Sequence, residues 1–214
     1  MENQQPRSLE ERIRLLARNA KFGDGYLWKH PEGNNSKIIF NSTTPELLEV
    51  KKNITPEIFT TGVKLITYKD NIDYGRYENA KPMYRLASVT NKIFTEYYTI
   101  DKLDIFNELT IEDLGLWYLD DGGCFQRKDV PAGIITKRFR YYLCIGNCCN
   151  NDLKMDKFKE ALKNIFNTNK IGNICKNNSK ATIDNKTWMI PVKIAKIILN
   201  EARKYNVLDR KFPG

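Results

Sequence analysis

The run Leu114-Gly115-Leu116-Trp117-Tyr118-Leu119-Asp120-Asp121-Gly122 reads as the last turns of an apolar helix that stops abruptly on two carboxylates and a glycine. A helix C-terminus already carries partial negative charge, and Asp120 and Asp121 add two formal charges there. Gly122 is expected at φ > 0, as the residue that ends the helix. Such a pile-up is unfavourable without a cation, and hard divalent ions take carboxylate and carbonyl oxygens. A second version lies upstream as Ala17-Arg18-Asn19-Ala20-Lys21-Phe22-Gly23-Asp24-Gly25. Asp24 and Asp121 are 97 residues apart (121 minus 24), close to half of the 214-residue chain.

The segments around the two runs follow one order. Ser8 and Glu11 have capping-box spacing and open a helix to about Phe22, with Ile13, Leu16, Ala17 and Ala20 on one face. Strands are expected at Tyr26–Trp28 and Lys37–Phe40, a helix from Pro45, strands at Val63–Tyr68 and Met83–Val89, and a helix near Asn91–Leu103. The second half opens at Thr110, with Asp113 three residues on. Strands near Gly123–Arg127 and Arg138–Asn147, a helix over Asp152–Phe166, strands near Ile171–Lys176 and Thr187–Val192, and a helix over Lys193–Tyr205 follow. The order αββαββα occurs twice, and Asn41-Ser42-Thr43 stands 106 residues before Asn147-Cys148-Cys149 (147 minus 41). An internal duplication is the economical explanation, with halves at 1–107 and 108–214.

Charge narrows the partner. Lys and Arg number 35 against 26 Asp and Glu, for a net charge of +9, which suits a polyanion such as nucleic acid. The one histidine, His30, excludes nuclease designs built on two or more histidines. The five cysteines are odd in number and form no CxxC pair, so reduced thiols in an intracellular setting are expected. No fourth ligand stands near Cys144, Cys148 and Cys149, which argues against a zinc cluster. No apolar run approaches about 18 residues and no leader-like segment opens the chain, so a soluble protein with no membrane partner is expected.

With Leu109-Thr110 ahead of Leu114–Gly122 and Phe22-Gly23-Asp24-Gly25-Tyr26-Leu27 in the first half, the chain resembles the LAGLIDADG homing endonucleases, in the two-motif, single-chain, intron-encoded form. The resemblance implies an α+β fold of two pseudo-symmetric αββαββα halves. Motif helices pack at the centre, Ala17, Ala20, Gly23 and Gly115 allow their close approach, and antiparallel sheets form a DNA-binding saddle. It implies a monomeric, site-specific double-strand DNA endonuclease that cuts across the minor groove and leaves short 3′ overhangs.

Carried onto this sequence, Asp24 and Asp121 are the metal-binding and catalytic carboxylates, with Gly23 and Asp120 offering backbone carbonyls to the same ions. Lys102 and Lys211 match the family's basic residues, and Asn41 and Asn147 its water-positioning residues. The cofactor implied is Mg²⁺, as two or three divalent ions, with Mn²⁺ a substitute and Ca²⁺ bound without turnover. Groove-facing candidates are Trp28, Lys29, Lys37, Tyr68, Lys69 and Arg85 in the first half. In the second they are Arg127, Lys128, Lys137, Arg138, Arg140, Lys176, Lys180, Lys186 and Trp188. The partner implied is double-stranded DNA with a long recognition site. The alternatives are an intron maturase that binds its own RNA, a non-cleaving DNA-binding relative, and an enzyme that nicks one strand.

Overall fold

Ser8 and Glu11 close the first helix as their spacing predicts. The Ser8 hydroxyl accepts the Glu11 N–H at 3.2 Å, and the Glu11 carboxylate accepts the Ser8 N–H at 2.8 Å. The computed structural model describes residues 7–66, 82–126, 139–146, 148–176 and 186–205. The chain divides into two units, Met1–Thr99 and Ile100–Gly214, a boundary ahead of the 107/108 division expected from sequence.

In the first unit the elements are α1 (Leu9–Phe22), β1 (Gly25–Lys29), β2 (Ser36–Ser42), α2 (Pro45–Ile54), β3 (Lys64–Ile66), β4 (Met83–Ala87) and α3 (Lys92–Thr99). The strands form an antiparallel sheet in the order β1-β2-β4-β3. Ile13, Leu16, Ala17 and Ala20 are buried, joined by Leu15, Asn19 and Phe22. Strand residues Ile38, Phe40 and Leu86 form one covered sheet face, and Phe94 and Tyr97 of α3 are buried with them in the core. Lys51 of α2 is also buried, its ammonium 4.2 Å from the Phe40 ring centre, a cation held against the negative face of an aromatic ring.

The second unit repeats the plan: α4 (Lys102–Ile105), α5 (Ile111–Asp121), β5 (Gly122–Gln126), β6 (Phe139–Cys144), α6 (Asp152–Phe166), β7 (Asn173–Lys176), β8 (Lys186–Ile190) and α7 (Val192–Arg203). Its antiparallel sheet has the same order, β5-β6-β8-β7. Thr110 and Asp113 form the second capping box, at 2.9 and 3.2 Å. The core is aromatic, with the Phe158 ring 5.8 Å from Trp117 and 5.7 Å from Trp188. The α6 helix ends at Asn167, which takes φ 45, a left-handed cap that asparagine tolerates.

One expectation is corrected. The helix expected over Asn91–Leu103 is broken: α3 stops at Thr99, and the Asp101 carboxylate caps the Leu103 N–H at 2.9 Å to start α4 afresh. Gly115 packs closely against α7 of its own half. A Cβ there would stand 2.9 Å from Glu201 Cγ and 3.2 Å from the Ala202 nitrogen.

Candidate functional site

In each unit an aspartate stands at or just past the end of the motif helix, and a strand starts at the next residue. In the first, α1 stops at Phe22, Gly23 returns its N–H to the Asn19 carbonyl at 2.8 Å, and exposed Asp24 precedes β1. The Asp24 carbonyl accepts the Asn41 N–H at 3.3 Å, so the end of β2 lies beside Asp24. Gly25 makes this possible by its size. It pairs with Phe40, and a Cβ there would reach the Phe40 ring at 2.5 Å and Ala20 Cα at 2.9 Å. The Asn41 side-chain oxygen accepts Arg85 Nε at 3.1 Å from the neighbouring strand.

In the second unit Asp121 is itself the last helical residue, and Asp120 and Asp121 are both half-buried. Trp117, one turn earlier and fully buried, donates Nε1–H to Asp121 Oδ2 at 3.1 Å. This fixes the carboxylate by a group that sequence inspection did not single out, although the i, i+4 spacing carried the signal. Gly122 does not take the φ > 0 expected of it. Its φ of −85 and ψ of 163 are those of a strand, and β5 leaves the helix with no intervening turn. Glycine is required for space, because a Cβ would overlap the Tyr118 ring.

Lys102 lies in this second unit. It is half-buried near Cys148, Cys149 and Lys154, and burial above all pushes its pKa below the usual lysine value. Cys148 is fully buried, Sγ to Sγ 3.8 Å from Cys149, and lies within electrostatic reach of both Lys102 and Asp121. Burial above all, then Cys149 and the Asp121 carboxylate, push its thiol pKa well up, against the opposing pull of the Lys102 cation. The structure thus gathers Lys102 and Asp121 around one buried thiol pair.

Strand register sorts the groove-facing candidates. Because successive side chains alternate faces, Trp28 and Lys37, directly paired, share the open face with Asn41 and Arg85. The Lys37 ammonium sits 4.6 Å from the Trp28 ring centre. Tyr26 and Lys64 belong to the same face, and the two-residue step from Trp28 to Tyr26 was the signal for the first of them. Lys29 falls on the other face, in phase with Leu27, although its position at the strand end leaves it exposed.

In the second sheet Arg140 is exposed on the open face. Trp188 and Lys186 are corrected. Trp188 is 0% exposed and donates Nε1–H to the Ile171 carbonyl at 2.6 Å, and Lys186 is 5% exposed in the same phase. They belong to the helix-covered face. Lys176 pairs with Lys186 across β7 and β8. Tyr68, Lys69, Arg127, Lys128, Lys137, Arg138, Asn147, Lys180 and Lys211 lie outside the described residues. The expected equivalence of Asn41 with Asn147 is also corrected. Gly25 pairs with Phe40 and Gly122 with Leu143, so the next residue along, Cys144, is the counterpart of Asn41.

No group of three or more His, Cys, Asp or Glu side chains suited to a metal occurs among the described residues. Each acidic helix end therefore offers one or two carboxylates plus backbone carbonyls. That set fits Mg²⁺, which usually completes its shell with water and substrate phosphate, and does not fit a zinc site. Among the described residues no helix is long and apolar enough to cross a membrane.

No protein-family model matches the chain, and none of the curated proteins does. Solved structures do. The chain is similar to the homing endonuclease I-WcaI bound to its DNA recognition sequence, at TM-score 0.67 and 18% identity over 99% of this chain and 94% of that one. It is also similar to the N-terminal LAGLIDADG domain of DUF199/WhiA, at TM-score 0.51 and 14% identity over 94% of this chain and 84% of that one. Likeness at such identities speaks for architecture, and the chain has the α+β fold of the LAGLIDADG homing endonucleases.

Proposed function

We propose that this protein is a site-specific DNA endonuclease that makes a double-strand break by metal-dependent phosphodiester hydrolysis and leaves short 3′ overhangs. The observation that carries it is the pair of aspartates at the motif-helix ends, Asp24 and Asp121, each leading directly into a sheet, with Lys37, Lys64 and Arg85 on the open face of the first and Arg140 on that of the second. A net charge of +9 and the resemblance of both motifs to those of the family support the same reading. Each half serves one strand of the duplex.

Asp24 with the Gly23 carbonyl, and Asp121 with the Asp120 carbonyl, would hold divalent ions, Mg²⁺ or Mn²⁺. When bound, such ions supply an activated water and stabilise charge on the phosphate and leaving oxygen. The chain's own residues do the rest. Trp117 holds the Asp121 carboxylate in one orientation. Lys102, with its lowered pKa, accepts or donates a proton nearer neutrality than an exposed lysine would. Asn41, tied to Arg85, positions water beside Asp24, and Lys211 is proposed as the basic residue of the second half. Trp28, Lys37, Arg85 and Arg140 meet the duplex, together with the basic residues outside the described segments. The protein acts as a monomer on a long recognition site; binding of its own intron RNA is the alternative reading.

The test is cleavage of a randomised duplex library with Mg²⁺, beside a Ca²⁺ control and the single variants Asp24→Asn and Asp121→Asn. Each variant should lose double-strand cutting and keep nicking, with Ca²⁺ supporting binding alone. Double-strand cutting by Asp24→Asn at the wild-type rate would sink the two-site assignment. Tight binding of DNA or RNA without any cut would replace the nuclease with a binding protein or a maturase.

A further inference from the structure

The open faces of the two sheets differ in chemistry. On the first, Lys37, Lys64 and Arg85 share the face with exposed Tyr26 and with Trp28, whose ring is already occupied by the Lys37 ammonium. On the second, register places Phe125, Tyr142 and Met189 on the open face, with Arg140 the one cation there among the described residues. Phe125 is 44% exposed, its ring centre 6.1 Å from that of Tyr142. Tyr142 in turn lies across Gly123, where a Cβ would meet its hydroxyl at 2.5 Å. A glycine covered by a cross-strand aromatic ring fixes that ring in place. The result is an apolar ledge held open to solvent, with exposed Arg140 directly opposite Phe125.

Leaving a phenylalanine this exposed on a rigid ledge is unfavourable in water and rewarded when a partner covers it. The neighbouring arginine selects an anionic partner. Among features of the major groove, the thymine C5 methyl is the apolar one, and phenylalanine is among the side chains that read it. We propose that Phe125, backed by Tyr142, specifies thymine in the half of the target read by the second sheet, with Arg140 on an adjacent guanine edge or phosphate. The first sheet's open face carries Lys37, Lys64 and Arg85 beside Tyr26 and Trp28. This inference rests on the DNA-endonuclease reading.

The experiment uses the full chain with Ca²⁺ to select bound duplexes from a random library. Each thymine of the selected site is then replaced singly by deoxyuridine, which lacks only the C5 methyl. Binding should weaken by about fourfold per methyl at discrete positions, those read by Phe125 lying on one side of the centre. Phe125→Ala should bind the thymine and uracil versions of those positions equally well. Uracil bound as tightly as thymine throughout by the wild-type protein would overturn the proposal without recourse to any variant. A uracil penalty unchanged in Phe125→Ala would overturn the assignment to Phe125. Failure to select any duplex would remove the DNA reading itself, a different outcome from selection of a site indifferent to uracil.

Discussion

The Trp117 indole does two jobs that one substitution can separate. Trp117→Phe keeps an aromatic ring against Phe158 and removes the N–H that holds Asp121. A hydrogen bond to a charged group is worth about 1.5–3 kcal/mol, so cutting of the strand served by the second half should fall by about tenfold or more, with thermal stability changed far less than the rate. Strand-resolved cleavage of an end-labelled duplex measures this. Lys102 supplies a pH test. Its folded-state pKa lies below the ordinary lysine value, chiefly because it is buried. The unfolded chain therefore binds more protons in the window between the folded value and about 10.4. Burying the charged lysine costs stability below that window, and the cost fades as pH rises through it. Lys102→Met should then stabilise the fold most near neutral pH, with the gain shrinking as the solution becomes alkaline, as chemical denaturation at several pH values would show. Cleavage should lose its rise with pH in the same variant.

At the scale of elements, α5 and α7 touch through a glycine. Gly115→Ala would gain helix propensity of about 1 kcal/mol but press a methyl group against Glu201 and the α7 backbone. Overpacking of this kind costs about 1–3 kcal/mol, so a net loss of about 1 kcal/mol is expected in urea denaturation. Much of the element pattern was legible in the sequence, because its signals are local. Ser8 with Glu11 and Thr110 with Asp113 each announce a helix start from residues three apart, and the Phe158 and Leu162 stripe fixes α6. The rest depends on partners distant in sequence. The phase of β8, which buries Trp188 and Lys186, follows from pairing with β6 and β7. Gly122 looked like a left-handed cap because nothing local says that β5 continues straight from the helix. The likeness of Asn41 to Asn147 misled because the second half's register runs through Cys144.

For the whole molecule, charge sets the terms of binding. With a net charge of +9, association with duplex should be dominated by phosphate contacts and counterion release. Engagement of about six phosphates would lower affinity by about a thousandfold between 50 and 200 mM salt, and the slope of log K against log salt, from fluorescence anisotropy in Ca²⁺, counts those contacts. Arg85→Ala should reduce that slope by about one if the arginine meets a phosphate. The repeated strand orders β1-β2-β4-β3 and β5-β6-β8-β7 show one plan used twice, yet the two copies have drifted apart where they face solvent. Cys144 and Cys175 illustrate it. Both pair with Thr187, from the strands on either side of β8, and both are exposed. Two ladder spacings set their Cα atoms about 10 Å apart, beyond the reach of a disulfide. The second sheet consequently carries a fixed pair of chemical handles on its outer face, while Cys148 and Cys149 are shut away. A duplex bearing a tethered thiol could be locked onto that face at either handle, turning a fleeting encounter into a covalent one without altering a single residue of the chain.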